Sequence, residues 1–293
     1  MDICVCIKQT PDSSSVYIDP ITGQVDYERF VQILNPADAC AVEAAVRLKE
    51  QSGGSVIAIT LGPQDAEGAL RAALAIGADR ALRLWNPQAS NWGPFTVSGA
   101  LAACIQREAP EVDLVLCGDS SSDWSSGIVG PAVAEKLDLP QITGVMQLHA
   151  ASERGQDTAK LQVTRKLERG YRELLEAHLP VLLTVTGDLN EPRYPSLPAH
   201  LAALKATIPI VDPLPLIRND NEAEADETTI LEIHTPRPLP RRIAAPNSQR
   251  SAFERIGEIV AGGAAGRKTS LVEGSPEELA RTLVAFLRER GFT

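Results

Sequence analysis

The chain has 293 residues, 44% of them hydrophobic and 23% charged, and 28 Lys and Arg against 38 Asp and Glu give a formal charge of -10. That length buries a sizeable core without staples, and the acidic balance argues against a protein that mainly grips nucleic-acid phosphates. No apolar run approaches the roughly 18 residues of a membrane span, and Met1 to Ile7 is strand-like with no leader pattern, so no membrane insertion and a cytoplasmic location are expected.

From the N-terminus, short β-rich runs alternate with helical segments, the pattern of a parallel sheet with crossover helices. Ile3 to Ile7 is the first strand. Asn35-Pro36-Ala37-Asp38 predicts a helix start running to about Gln51, with Asn35 able to cap, Pro36 at the first helical position and Asp38 complementing the exposed amides. Val56 to Leu61 reads as a strand, Gly62-Pro63 as a turn, and Gln64 to Ile76 as a helix closed by Gly77. A strand at Ala81 to Trp85, a helix at Thr96 to Arg107 and a strand at Leu114 to Cys117 follow. A polar loop from Gly118 to Ser126 then leads into a helix from Gly127 to Leu137. Ile142 to Leu148, Lys160 to Arg165 and Tyr171 to Glu176 are separated by short polar turns and predict an antiparallel extension, and Val181 to Thr186 adds one more buried strand.

The fold class is therefore α/β: a Rossmann-like parallel sheet with crossover helices, an antiparallel extension, an extended arm and a C-terminal amphipathic helix. We divide the chain into an α/β domain over residues 1–190, a loop and arm over 191–218, and a linker with tail helix over 219–293. Ile208 to Leu216 carries three prolines and is expected to lie on a surface. Asp220 to Glu227 holds five acids and no base, and Arg237 to Arg250 four arginines and no acid, as solvated linkers do. Ser275-Pro276-Glu277-Glu278 is a capping box, followed by Leu279, Leu283, Phe286 and Leu287 on one helical face and Gly291 as a stop.

Cys4, Cys6, Cys40, Cys104 and Cys117 form no C-x-x-C, and the histidines lack ligand spacing, so buried small hydrophobes and no metal are expected. In an open parallel sheet, ligands sit beyond the carboxyl ends of the strands. Four segments converge there: Cys6 to Lys8, Asn35 to Asp38, Leu61-Gly62, and the loop Gly118 to Gly127, which offers five hydroxyls and no Lys or Arg. Its end supplies backbone amides at a helix start, which favour a nucleotide phosphate; a merely solvated Ser-rich loop is the plainer alternative. No G-x-G-x-x-G follows the first strand, and no P-loop or nucleophile elbow occurs. The chain offers binding groups and no convincing catalyst.

Several blocks carry a family resemblance. Cys6-Ile7-Lys8-Gln9-Thr10-Pro11-Asp12, Leu34 to Asp38 with Ala41 to Glu50, Ala73 to Ala81, and Leu189-Asn190-Glu191-Pro192-Arg193-Tyr194-Pro195-Ser196-Leu197-Pro198 resemble the small (beta) subunit of electron transfer flavoproteins. The segment from Val163 to Thr184 resembles that family's signature, except that Arg169 stands where an acid or glycine is usual.

The resemblance implies an electron carrier rather than an enzyme: a heterodimer with an alpha subunit that holds the redox-active FAD, passing electrons from flavin dehydrogenases to a downstream acceptor. The small subunit would bind AMP or a second FAD, and would dock partners through a recognition loop. Carried over by position, the nucleotide would touch Cys6, Asn35, Asp38, Leu61, Gly62, Gly118, Asp123, Ser125, Ser126, Gly127, Ile128 and Val129. The recognition loop would be Glu191 to Pro198, with Glu191, Arg193 and Tyr194 beside Leu197 as the apolar anchor. In the last nucleotide loop, Ser126-Gly127-Ile128-Val129-Gly130 departs from the family's amide side chain, so AMP, a second FAD and no nucleotide all stay open. A free-standing nucleotide-binding regulatory protein is the alternative from another class. An extended arm able to wrap a second chain favours the electron carrier, and an adenylating ligase would need its Gly-rich loop elsewhere.

Overall fold

The computed structural model describes residues 1–19, 25–26, 30–151, 160–217, 251–260 and 274–289. The acidic block 220–227, the basic block 237–250 and Gly291 lie outside the described residues. The first strand, β1 (Ile3–Cys6), is buried throughout, as an apolar run in the middle of a parallel sheet must be. A small antiparallel pair follows, β2 (Gln9–Pro11) with β3 (Gln32–Leu34), inside the segment expected to be a loop. Helix α1 (Pro36–Ser52) buries Ala37, Ala41, Ala44, Ala45 and Leu48 against the sheet and ends at Gly53, whose φ is +73°.

Next come β4 (Val56–Leu61), α2 (Glu67–Ile76), β5 (Arg80–Leu84), α3 (Pro94–Glu108) and β6 (Leu114–Gly118). The chain continues through α4 (Val129–Lys136), β7 (Gln141–Ala151), β8 (Lys160–Lys166), β9 (Arg172–His178) and β10 (Val181–Val185). The order across the nine-stranded sheet, with β11 (Ile210–Val211) introduced below, is β11-β5-β4-β1-β6-β10-β7-β8-β9. Strands from β11 to β7 are parallel, and β8 and β9 extend the sheet antiparallel, as expected.

Helices α1 and α2 pack on one face with Ile3 and Val5, and α3 and α4 on the other with Cys4 and Cys6. From β1 the chain moves outward to β4 and β5, and α3 then carries it back past β1 to β6. The sheet therefore reverses its winding between β1 and β6, the switch point at whose carboxyl ends sheets of this class have their ligand crevice.

Three expectations change. Helix α4 begins at Val129 rather than Gly127, because Gly127 takes a left-handed φ of +64° and Ile128 becomes the cap. The segment after residue 190 is more than a surface arm. It opens into α5 (Leu197–Lys205), adds β11 to the open edge of β5, and continues into α6 (Leu214–Ile217). Ile208 and Ile217 are buried, and prolines 209 and 213 flank a two-residue strand at the sheet edge, where a missing amide is tolerated. Finally, α7 (Ala252–Val260) occupies part of the expected linker; Ser251 and Glu254 form a capping box, with the Ser251 amide donating to Glu254 Oε2 at 3.0 Å.

The chain divides into two compact units, Met1–Thr235 and Pro236–Thr293. In the second, α8 (Pro276–Glu289) starts at the expected capping box, with the Ser275 amide donating to Glu278 Oε2 at 2.9 Å, and Leu279, Leu283 and Phe286 are exposed. Among the described residues no helix is long and apolar enough to cross a membrane. All five cysteines are free and buried; burial pushes the Cys104 thiol up to about 12, so it is not a ready nucleophile.

Candidate functional site

Three of the four predicted segments meet at the carboxyl ends of β1 and β6, the Cys6–Lys8 strand end, Asn35–Asp38 and the Ser-rich loop, while Leu61-Gly62 lies one strand away at the end of β4. Asp38, in the first turn of α1, is buried and bridges both strand ends: its carboxylate accepts from the Lys8 amide and the Gly118 amide, each at 2.8 Å. Burial pushes its pKa up to about 7 against those two bonds. It therefore takes up a proton more readily than a free aspartate and opposes an incoming anion less. Gly118 is required by this contact, since a Cβ there would lie 2.5 Å from Asp38 Oδ1 and 2.8 Å from the Ala37 Cβ.

Asn35 is the N-cap residue of α1, its carbonyl accepting from the Ala39 amide at 2.9 Å, but its side chain makes no capping bond. Its Nδ2 donates to the Ser120 carbonyl at 3.0 Å and its Oδ1 accepts from the Ser122 amide at 3.1 Å, so the side chain pins the Ser-rich loop. Ser122 also donates its hydroxyl to Thr10 Oγ1 at 2.9 Å. Beyond the pinned part, Ser125 takes a left-handed φ of +50° and its amide donates to the Ser121 carbonyl at 2.8 Å. Gly127 repeats the left-handed turn, with the Asp119 carbonyl 3.3 Å from where a Cβ would stand. Helix α4 then starts without a side-chain cap from Ile128, as α1 does from Asn35. Two helix starts without side-chain caps, α1 on one face of the sheet and α4 on the other, therefore lie at the carboxyl ends of the central strands, each with first-turn amides that have no intrahelical partner.

Lys8 closes the expected Cys6–Lys8 segment, but a role for its side chain is not among the sequence expectations. The loop carries no cation of its own, but the Lys8 ammonium reaches into it from the end of β1. It lies 2.8 and 2.6 Å from the two oxygens of Asp123 and 3.5 Å from Ser121 Oγ. Burial raises the Asp123 carboxyl, but the hydrogen bonds from Lys8 and Ser121 outweigh it and hold the group below the usual range. Cys6 lies at the carboxyl end of β1 opposite Cys117, and its side chain is buried. On the other side of β1, Gly62 follows β4 and donates to the Leu84 carbonyl at 3.0 Å, while its own carbonyl accepts from Arg83 Nη1 at 3.3 Å.

The expected docking residues lie on the α1 face, away from the loop. Asn190 donates to the Cys40 carbonyl at 3.0 Å, and Arg47 Nη2 to the Glu191 carbonyl at 3.1 Å. Arg193 is occupied within the chain: its Nε donates to Glu43 Oε2 at 2.9 Å and its Nη1 to Glu50 Oε1 at 2.6 Å. Glu43 is buried, which raises its pKa, but bonds from Arg193 and Arg47 overcome this and keep it below the usual range. Directly after this anchor Tyr194 is 99% exposed, and Leu197, the first residue of α5, is 69% exposed. Among the described residues no group of three or more His, Cys, Asp and Glu could hold a metal ion.

Parallel strands, a reversal of winding between β1 and β6 and helix starts without side-chain caps at the strand ends define an α/β fold of the doubly wound class. Comparison with known proteins narrows this. A family model described as the electron transfer flavoprotein domain matches residues 23–216. The chain is 36% identical over 276 residues to the electron transfer flavoprotein subunit beta of Thermoanaerobacterium thermosaccharolyticum, covering 93% of this chain and 97% of that one. It is 33% identical over 288 residues to the subunit beta of Bacillus subtilis, covering 98% of each. It is also 32% identical over 265 residues to Protein FixA of Azotobacter vinelandii, covering 88% of this chain and 92% of that one. The chain belongs to the electron transfer flavoprotein family, among its beta subunits.

Proposed function

We propose that this chain is the beta subunit of a heterodimeric electron carrier. It supplies an adenine-nucleotide site at the β1–β6 crevice and a docking segment for flavin dehydrogenases. FAD held by an alpha subunit would carry the electrons, on to a downstream acceptor, in the cytoplasm. The observation that supports the nucleotide site is the Lys8 ammonium reaching the Ser-rich loop at Asp123 and Ser121, beside the start of α1 and at the point where the sheet reverses. That donor set fits a phosphate: one point charge and the free amides of a helix start. Asn35 and Asp38 would hold the loop and the strand ends in register. Asp123 would orient Lys8 and give way to the phosphate. Leu61, Gly62, Ser125, Ser126, Gly127, Ile128 and Val129 would form the rest of the wall, and Cys6 the floor. AMP and a second FAD share the adenylate phosphate on which this donor set acts.

Lys8→Met tests the assignment. A hydrogen bond to a charged group contributes about 1.5–3 kcal/mol, so the variant heterodimer, stripped of nucleotide, is expected to bind AMP about tenfold or more weakly by calorimetry. The freed Asp123 charge acts in the same direction. Unchanged affinity would remove Lys8 from the site.

The docking segment would be residues 191–198 continued into α5, with Tyr194 and Leu197 presented to a dehydrogenase and Glu191 beside them. Arg193 would serve it from behind, as the anchor on Glu43 and Glu50.

A further inference from the structure

Helix α5 has nine residues, too few to hold a helix alone in water. The side it turns inward is made of alanines: Ala203 is buried, and Ala199 and Ala206 are half-buried. Apolar stabilisation scales with the area removed from water, and alanine has little to remove. Its larger residues, Leu197, Leu201 and Leu204, are exposed. Packing alone therefore fixes the helix poorly.

Polar contacts at its ends do more. At the start, Ser196 Oγ accepts from the Ala199 amide at 3.3 Å. At the other end stands Arg71 of α2, whose Nη1 donates to the carbonyls of Ala203 and Leu204, each at 2.8 Å, and of Ala206 at 3.0 Å. The Leu204 carbonyl belongs to those a helix end leaves without intrahelical partners, the Ala203 carbonyl also accepts from the Ala206 amide at 3.3 Å, Ala206 caps the helix, and the guanidinium meets the negative end of the helix dipole. Arg71 is itself held: Nη2 donates to Glu67 Oε2 at 3.2 Å, and Glu67 Oε1 accepts from Arg83 Nε at 3.2 Å. Arg83 is buried, with Nη1 on the Gly62 carbonyl at 3.3 Å. A continuous line of charged groups thus runs from the turn after β4 to the end of α5.

We propose that Arg71 is a positioning residue for partner docking: it clamps the C-terminal end of α5 to α2, and the Glu67–Arg83 pair fixes its guanidinium in the direction that presents Leu197, Leu201 and Leu204. The partner is the apolar pocket of a flavin dehydrogenase, so the inference rests on the docking role proposed above. A helix freed at one end still carries the same leucines, and saturation with the partner restores the contact. The clamp therefore governs KM for the carrier more than kcat.

The experiment uses the heterodimer assembled with its alpha subunit and a flavin dehydrogenase as reductant. Arg71→Met is expected to raise KM for the carrier about tenfold, the loss of a charge-assisted anchor, with kcat changed less than about twofold and the flavin spectrum unaltered. Arg71→Lys, which keeps a cation at the carbonyls, is expected to recover most of the loss. Leu197→Ala is run beside them. If it raises KM and Arg71→Met does not, the clamp is wrong; if neither raises it, the docking role and the inference both fall. Should Arg71→Met not assemble, Glu67→Gln is read the same way, with a rise of about threefold expected from losing one ion-pair partner and no rise overturning the proposal.

Discussion

Leu197→Ala is expected to slow electron transfer from a flavin dehydrogenase by tenfold or more while leaving the melting temperature and the flavin spectrum unchanged. The size follows from what an apolar anchor contributes when it enters a partner pocket, about 2 kcal/mol or more. The unchanged stability follows from exposure: Leu197 is 69% exposed at the first turn of α5, so its truncation leaves no cavity in this chain. Stopped-flow reduction of the heterodimer by the dehydrogenase measures the first quantity and calorimetric melting the second. A fall in melting temperature with unchanged transfer would make Leu197 a packing residue instead of an anchor.

Gly118→Val is expected to have the largest effect on stability. Its Cβ would meet Asp38 Oδ1 at 2.5 Å and the Ala37 Cβ at 2.8 Å, and it would push aside the amide that Asp38 accepts. Overpacking costs about 1–3 kcal/mol and a buried polar group left unpaired a similar amount. Together they correspond to a fall of about 10 °C in melting temperature for a unit of this size. The same displacement would move α1 away from the Ser-rich loop, so bound nucleotide should be lost as well. A variant that melts within about 2 °C of the wild type, a change of about 0.5–1 kcal/mol, would contradict the placement of Asp38 between the two strand ends.

What could be read from the sequence was local. Val56 to Leu61 matches β4 residue for residue because an apolar, β-branched run lies between glycines that end it. The capping box at Ser275 is likewise a four-residue signal and appears where expected. The misreadings were long-range. The Asn35 side chain looked like a cap because its neighbours are helical, but its partners are Ser120 and Ser122, 85 and 87 residues away. Lys8 belonged to a strand end in the sequence, and only the sheet order places it against Asp123. Glu43 and Arg193 are 150 residues apart, so nothing in α1 alone marks Glu43 as a buried acid with a partner. The later start of α4 turns on the left-handed φ of Gly127, a backbone choice that a glycine permits without announcing.

The most direct test of the proposed function is the nucleotide content of the heterodimer purified after co-expression with an alpha subunit. Acid release followed by chromatography would count flavin and adenine compounds against protein. An adenylate in addition to the alpha subunit's FAD, either AMP or a second FAD, is predicted for the wild type, with a marked loss in Lys8→Met and Gly118→Val. A heterodimer that carries the alpha subunit's FAD and releases no further adenylate, even after incubation with AMP and FAD, would contradict the assignment of the β1–β6 crevice as a nucleotide site.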